Sequence, residues 1–265
     1  MPEKELTLAV DVGNSRIKFG VFERPEAAPV KCALPNSASS LAVTVHQEVD
    51  WGVVTAHFAK WTSRITKAVV AGVNPAGMKR ILAGWNQSGW PAPIIVGRAT
   101  DLPLRTNVEQ PDQVGIDRLL DAVAANLLRS DHQPAIVIDS GTATTVNAVS
   151  ADGVFEGGAI LPGLELGARS LHQHTALLPL IDVRSLADNP VVALGRNTHD
   201  AIKSGLWFGQ IGAIRELTAH LAKSFGEPPL LLVTGGMGCR LAPALGENFR
   251  FEPDLALRGL AFVAQ

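Results

Sequence analysis

Two patterns of hydrophobic and polar residues follow one another along this chain. Short runs of consecutive apolar residues predict strands at 6–12, 17–22, 51–55, 93–96, 135–139, 144–149, 154–160 and 230–233. Between them, apolar residues spaced three and four apart predict a helix from Gly115 to about Ser130, and a long helix is predicted over 198–225. The stretch 98–114 has no periodicity and is predicted to be a loop. The Leu-rich stretch from Pro162 to Arg196 is expected to be irregular. Strands interspersed with helices are typical of an α/β protein.

One pattern occurs twice. Leu8-Ala-Val-Asp-Val-Gly-Asn-Ser15 is matched by Ile136-Val-Ile-Asp-Ser-Gly-Thr-Ala143 about half a chain later. In each, an apolar strand leads into an Asp, one further residue and a Gly, an arrangement that can bring backbone N–H groups and a carboxylate close to a phosphate and its metal. The period is too long for a solenoid, whose repeats reach only about 50 residues. We therefore predict a duplicated domain, with halves at 1–130 and 131–265 and a ligand cleft between them; a simple turn after each strand is the alternative.

Composition and charge narrow the class of protein. Hydrophobic residues make up 46% of the chain and charged residues 18%, enough apolar material for two cores. A net charge of −2 gives no electrostatic basis for binding nucleic acid or an anionic membrane. The first residues lack an apolar signal segment and no run approaches the ~18 apolar residues of a membrane span, so we expect a cytoplasmic protein. Cys32 and Cys239 are far apart and lie outside any metal-ligand spacing, so we expect free, buried thiols rather than a disulfide or a zinc site.

The segment Gly115-Ile-Asp-Arg118 lies at the predicted start of a helix, where unpaired N–H groups and the helix dipole favour an anion. Asp117 either satisfies this helix end or acts as a general base, with Arg118 beside it as an anion donor. A single positioned carboxylate suffices for phosphoryl transfer, because it needs only to orient the hydroxyl and finally accept its proton.

Asp11 and Asp139 each follow an apolar strand, where a cation would offset the cost of desolvating a carboxylate. Oxygen ligands beside phosphates suit Mg²⁺ and a second cation, although a turn acid that bonds its own backbone is the alternative. Glycine turns at 157–163 and 233–236 allow a ligand to approach the backbone. The pair His172 and His174 lacks the spacing of a helical metal site.

The long helix carries Gly205, Gly209 and Gly212. Glycine inside a helix costs about 1 kcal/mol relative to alanine. Three at this spacing indicate close approach by another helix, a second copy of the chain or a ligand.

Six segments in this order resemble the type III pantothenate kinase family: 11–18, 115–118, 139–145, 157–163, 197–205 and 234–236. The resemblance spans nearly the whole chain. It implies the actin-like, sugar-kinase-like ATPase fold, a homodimer, and transfer of the ATP γ-phosphoryl group to the primary alcohol of pantothenate, the first step of coenzyme A synthesis.

The resemblance also implies site residues. The phosphate loop for ATP would comprise Asp11, Val12, Gly13, Asn14, Ser15, Arg16, Ile17 and Lys18, with Asp11 near Mg²⁺. Thr142, Gly235 and Gly236 would also meet the nucleotide. Pantothenate would contact Gly115, Ile116, Asp117, Arg118 and Thr198, with Asp117 as the proton acceptor. Asp139 would hold a monovalent cation, K⁺ or NH₄⁺.

The chain departs from the family pattern at two positions. Ser15 replaces the usual Thr and keeps the hydroxyl, whereas Val114 stands where the family usually has a Tyr, and the chain contains no Tyr at all. The second departure removes one expected contact to pantothenate. Two other functions are compatible with the fold: a noncatalytic nucleotide-binding regulator, and a phosphohydrolase or a different kinase.

Overall fold

The chain folds into two compact units. The computed structural model describes residues 5–23, 34–187 and 190–264, so Cys32 lies outside the described residues. Cys239 is a free thiol as expected, but it is exposed and not buried. Within these ranges the first unit comprises Met1–Asp131, Gly153–Glu156 and Asp254–Gln265, and the second comprises His132–Asp152 and Gly157–Pro253. The halves expected from the sequence follow chain order, whereas the units are interleaved, because the C-terminal segment belongs to the first unit.

Each unit is built from five strands with helices. The first unit contains β1 (Leu6–Val12), β2 (Arg16–Glu23), β3 (Ser37–Thr44), α1 (Trp51–His57), β4 (Ile65–Gly72), α2 (Pro75–Gly84), β5 (Pro93–Val96), α3 (Ile116–Leu128) and, from the end of the chain, α7 (Leu255–Val263). The remaining elements are β6 (Ala135–Ser140), β7 (Ala143–Val149), β8 (Phe155–Pro162), α4 (Leu164–Gln173), α5 (Thr198–Lys223), β9 (Leu230–Thr234), α6 (Gly238–Leu245) and β10 (Phe249–Phe251).

The two sheets have the same topology. The first has the order β3-β2-β1-β4-β5 and the second the order β10-β9-β6-β7-β8. In the first sheet, β1 pairs antiparallel with β2 and parallel with β4. In the second sheet, β6 pairs antiparallel with β7 and parallel with β9 in the same way. The pairs β4 with β5 and β9 with β10 are also both parallel. The repeated Asp-x-Gly pattern therefore lies at the C-terminal end of the central strand of each sheet, with the Asp in β1 or β6 and the Gly just after it.

Separate apolar cores hold the two units. In the first, Val10, Val12 and Phe19 are fully buried beside an aromatic cluster of Trp51, Phe58, Trp85 and Trp90, whose rings meet mainly edge to face at centroid distances of 5.9 to 6.4 Å. In the second, the buried residues of β6 pack with those of α5, β9 and α6.

Two local predictions were wrong, and one strand was not predicted. The segment expected to be a strand at 51–55 is the helix α1, because the Asp50 side chain caps it by accepting from the Val53 N–H at 3.1 Å, and Trp51, Val54 and Phe58 bury one helical face. The strand β3 was missed because its serine-rich sequence is polar, although it pairs with β2 along its length. The helix α4 lies in a stretch that was expected to be irregular.

A search of the described residues for a helix long and apolar enough to cross a membrane found none.

Candidate active site

The turn between β1 and β2 carries the first predicted phosphate loop. The Gly13 N–H donates to the Arg16 carbonyl at 2.9 Å and closes the turn, which leaves the side chains of Asn14, Ser15 and Arg16 exposed. Val12 and Ile17 are fully buried in the core. Of the predicted loop residues, these two can therefore meet a nucleotide only through their backbone.

The first unit brings this turn close to the start of α3. The Val73 N–H, just after β4, donates to the Val12 carbonyl at 3.0 Å. A Cβ placed on Gly115, the residue that precedes α3, would lie 3.5 Å from Val73 Cγ1. The ends of β1 and β4 and the N-terminus of α3 therefore form one continuous region, which contains the predicted segments 11–18 and 115–118.

Asp117 lies in the first turn of α3. Its Oδ1 accepts a hydrogen bond from the Arg118 N–H at 2.8 Å, and a Cβ on Gly115 would lie 2.6 Å from the same oxygen. The absence of a side chain at Gly115 is thus what leaves room for the carboxylate. Burial raises the pKa of Asp117 above its usual value, against the opposing effects of the Arg118 N–H and the Arg118 charge. A carboxylate with a raised pKa at a helix N-terminus has the properties of a general base.

Arg118 is held by groups that the sequence did not single out. Its guanidinium lies 5.5 Å from the centroid of the Phe155 ring, and Phe155 is fully buried. Burial lowers the pKa of Arg118, while the charges of Asp117 and Asp121 act in the opposite direction. Asp121 is only 1% exposed although it is an acid. The signal available in the sequence was an acid on the apolar side of a helix, one turn after Asp117.

The second unit repeats the strand-turn geometry around Asp139. Asp139 is the next-to-last residue of β6 and lies opposite Thr145 of β7 and Thr234 of β9. Gly235 follows β9 with φ at +88°, and a Cβ there would collide with Asp139 Oδ1 and the Ser140 carbonyl oxygen. Glycine is therefore required at this position both for its backbone conformation and for the space that the carboxylate occupies.

Several oxygen atoms lie close together around the turn after β6. A Cβ on Gly163 would collide with the carbonyl oxygen of Gly141 and would also crowd that of Thr142. The hydroxyls of Ser140 and Thr144, opposite each other across β6 and β7, are buried without a hydrogen-bond partner among the described residues. Carbonyl, hydroxyl and carboxylate oxygens are the donors that hard cations prefer, so the donor set at this turn fits a cation.

The other predicted residues of the second unit lie on its surface. Thr142 and Gly236 are exposed, and a Cβ on Gly236 would meet no described residue within 4 Å beyond its chain neighbours. Thr198 begins α5, whose N-cap Asn197 accepts from the Asp200 N–H at 2.8 Å. Thr198 also lines a cavity of about 840 Å³ between α4, the segment after it and α5, with mostly apolar walls. This volume is in the range of small-molecule sites.

No group of three or more potential metal-binding side chains among His, Cys, Asp and Glu occurs within the described ranges. His172 instead contacts the Leu178 carbonyl through Nδ1 at 2.8 Å, and His174 lines the cavity. A single carboxylate such as Asp11 fits Mg²⁺ that is held mainly by nucleotide phosphates, since Mg²⁺ commonly binds one or two carboxylates plus phosphate oxygens.

Sequence comparisons agree with these observations. A sequence profile of the family described as type III pantothenate kinase matches residues 7–220. The chain is 39% identical over 168 residues to the type III pantothenate kinase of Caulobacter vibrioides, a match that covers 63% of each chain. It is 35% identical over 262 residues to that of Paramagnetospirillum magneticum, covering 96% of this chain and 95% of the relative. It is 32% identical over 262 residues to that of Rhodospirillum rubrum, covering 97% of each.

Structural comparison adds support for the fold alone. The ethanolamine utilization protein EutJ of Carboxydothermus hydrogenoformans superposes with a TM-score of 0.53 at 14% identity, covering 99% of this chain and 91% of that one. The activator of 2-hydroxyisocaproyl-CoA dehydratase of Clostridium difficile has a TM-score of 0.50 at 12% identity, covering 98% of this chain and 94% of that one. The duplicated sheet topology and these likenesses confirm the predicted actin-like, sugar-kinase-like fold. The sequence matches confirm the resemblance seen in the six segments, and the chain belongs to the type III pantothenate kinase family.

Proposed function

We propose that this chain transfers the γ-phosphoryl group of ATP to the primary hydroxyl of pantothenate, giving 4'-phosphopantothenate and ADP. The observation that carries the proposal is Asp117: a carboxylate with a raised pKa, placed at the N-terminus of α3 and next to the end of β1 within one unit. Family membership supplies the substrate, because the relatives are named for pantothenate.

In the first unit, the turn after β1 binds the ATP phosphates. Its exposed residues Asn14, Ser15 and Arg16 can reach the phosphate oxygens with side-chain donors, and Lys18 adds a positive charge. Asp11 contributes an oxygen ligand to Mg²⁺. When bound, this ion neutralises phosphate charge and orients the γ-phosphoryl group.

The reaction then requires one proton acceptor and one in-line displacement. The pantothenate hydroxyl oxygen forms a bond to the γ-phosphorus, and the bond from that phosphorus to the β,γ-bridging oxygen breaks, releasing ADP. The hydroxyl proton passes to Asp117. Arg118 lies beside it, and its positive charge, oriented by Phe155 and Asp121, stabilises the negative charge on the transferring group.

In the second unit, Asp139 and the oxygens around its turn hold the monovalent cation, K⁺ or NH₄⁺. Thr142, Gly235 and Gly236 contact the nucleotide. Thr198 contacts pantothenate, and the cavity that it lines supports this assignment because its apolar walls suit the carbon skeleton of a small acid.

We also propose a homodimer that forms through α5. The exposed face of this helix carries Phe208, which is 42% exposed, and Gly205, Gly209 and Gly212. Among the described residues outside the backbone of α5 and the chain neighbours, nothing lies within 4 Å of a would-be Cβ on any of these glycines. Leu194 near the start of α5 is 73% exposed. Exposed apolar residues beside a smooth helix face support packing against a second copy.

A coupled ADP-release assay tests the proposal. Purified protein would be given Mg²⁺, K⁺, ATP and one of three acceptors, which are pantothenate, glycerol and N-acetylglucosamine, with a reaction lacking acceptor as the background. Of the three acceptors, we expect only pantothenate to give ADP release above the background. Equal release without acceptor would indicate a phosphohydrolase, and release with a sugar would indicate a different kinase.

A further inference from the structure

Lys18 of β2 forms an ion pair with a residue outside the predicted phosphate loop. Its Nζ lies 3.3 Å from Oδ1 of Asp254, the residue immediately before α7. The two side chains are 30% and 29% exposed, so the pair is partly shielded from solvent. Both residues belong to the first unit, although they lie near opposite ends of the chain.

Lys18 also lies directly opposite Asp11 in the antiparallel pair of β1 and β2. Directly opposite residues of such a pair share one face of the sheet, with Cβ atoms about 4.5–5.5 Å apart. Lys18 is therefore flanked by Asp11, the proposed magnesium ligand, and by Asp254. The position of its ammonium group decides how much positive charge the phosphate loop presents.

The backbone at Asp254 is in an unfavourable conformation. Its φ and ψ are +51° and +37°, and among the described residues other than glycine only His132 shares a positive φ. This region disfavours most L-residues and is tolerated best by Asn and Asp. Strain of this kind persists where the surrounding structure imposes it and is concentrated at functional sites.

The Asp254 side chain does not serve the usual purpose of an acid before a helix. Such a side chain normally accepts a hydrogen bond from the first turn, whereas Asp254 makes no side-chain cap bond to α7 and reaches Lys18 instead. Helix capping thus does not account for this carboxylate.

The helix behind Asp254 is firmly anchored in the first unit. Leu255, Leu257 and Leu260 are at most 1% exposed. A Cβ on Gly20 of β2 would lie 2.9 Å from Leu257 Cδ2, so α7 packs directly against the strand that carries Lys18. The Arg258 side chain donates to the Pro35 carbonyl at 3.0 Å. Asp254 therefore holds its carboxylate on a rigid support.

We propose that Asp254 is a positioning residue for Lys18, which it holds in place to meet the phosphates of the bound nucleotide. The inference rests on the proposed function, since it assigns Lys18 to the ATP site. An ammonium already held in place loses less conformational freedom when phosphate binds. A simple charge effect predicts the opposite result, because a carboxylate near the phosphates repels them.

The test replaces Asp254 with its uncharged isostere. Asp254→Asn keeps the shape and tolerates the left-handed backbone, so the fold should survive. Glu48→Gln, which removes an exposed carboxylate from the same unit, is the control for net charge. Affinity for Mg²⁺-ADP is measured by titration calorimetry, and KM for ATP, KM for pantothenate and kcat are measured in the kinase assay.

We expect Asp254→Asn to weaken Mg²⁺-ADP binding and raise KM for ATP by about three- to fivefold, the scale of a partly exposed ion pair. KM for pantothenate and kcat should stay within about twofold, and Glu48→Gln should match the wild type. In a Lys18→Met background, Asp254→Asn should have no further effect, because the two residues act through one interaction.

The opposite outcomes are informative. Mg²⁺-ADP binding that is unchanged or tighter in Asp254→Asn overturns the positioning role. The role is also overturned if Asp254→Asn weakens Mg²⁺-ADP binding as much in the Lys18→Met background as in the wild type. A wild-type protein that binds Mg²⁺-ADP normally but does not phosphorylate pantothenate would refute the proposed function. The calorimetric test of Asp254 would still be valid in that case. Wild-type protein that binds no nucleotide would refute both.

Discussion

The carboxylate of Asp117 accepts a hydrogen bond from the backbone N–H of Arg118 at 2.8 Å. The side chain that we propose as the general base thus also stabilises the first turn of α3, as an acid at a helix N-terminus does. The sequence suggested two roles for Asp117, as an acceptor for the N–H groups at the start of the helix and as a general base, and the two roles are compatible. Replacing the carboxylate by an amide distinguishes them, because the amide keeps Oδ1 as an acceptor but cannot take up a proton.

Asp117→Asn should lower kcat by on the order of 10²–10⁴, the usual share of general acid–base catalysis. Binding of Mg²⁺-ADP should persist, because the substitution leaves the loop after β1 intact. Steady-state kinetics together with nucleotide titration check this. A kcat within threefold of the wild type would remove Asp117 from the role of base.

The same substitution should not destabilise the protein at neutral pH. Burial raises the folded-state pKa of Asp117 above its unfolded value, so its contribution to stability is full below the unfolded pKa and is lost as pH rises through the folded pKa. Above both values the ionised carboxylate is a cost that an amide avoids. When melting temperatures are measured between about pH 4 and pH 7, the melting temperature of Asp117→Asn should increase relative to that of the wild type as pH rises. A variant that becomes relatively less stable with rising pH would contradict the raised pKa.

The activity of the wild type should also fall in acid, because protonated Asp117 cannot act as the base. Its raised pKa moves the acidic limb of the kcat/KM profile above the range of an ordinary aspartate. A kcat/KM profile under conditions where the fold is intact checks this. An acidic limb at or below about pH 4, the ordinary value for Asp, would exclude Asp117 as the titrating group.

Activity should depend on K⁺ or NH₄⁺ through Asp139. Asp139→Ala should lose this dependence together with most activity, because it removes the anionic ligand at the turn after β6. Rates in K⁺, NH₄⁺ and Na⁺ at equal ionic strength provide the measurement. Equal rates in all three salts and in their absence would show that the cation site is not present.

Gly235→Ala should destabilise the protein by about 1–3 kcal/mol, from its positive φ and from collision with Asp139 and Ser140. Gly236→Ala is the matched control, because in the part of the chain that the structure describes its Cβ would meet only its chain neighbours within 4 Å, and its φ is not in the left-handed region. Urea denaturation of the two variants compares them directly. Equal stability would contradict the close approach of Asp139 to Gly235.

Gly209→Leu should weaken a homodimer and its activity. Among the described residues, apart from the chain neighbours and the backbone of α5 itself, nothing lies within 4 Å of a would-be Cβ at Gly209, so we expect the loss to come from a contact with a second copy. Analytical ultracentrifugation and the kinase assay are run on this variant and on Gly226→Leu, which also has open space but lies after α5. A wild type that sediments at 28.0 kDa at micromolar concentration with full activity would overturn the dimer.

The sequence by itself determined the central parts of both units. The runs that became β1 and β6 are buried along most of their length, so their apolar pattern has a single interpretation. The Asp-x-Gly turns after them and the amphipathic α3 were predicted for the same reason, since each is encoded by neighbouring residues. Together these elements located the predicted phosphate loops and Asp117.

Only the tertiary structure decided which distant residues support them. β3 is a strand because it pairs with β2 through backbone groups, which its polar side chains do not reveal. Phe155 meets Arg118, and Asp254 meets Lys18, across long stretches of chain. Periodicity reports which face of an element is buried, whereas the partner on that face is selected by packing and by electrostatic contacts that form only when the chain folds.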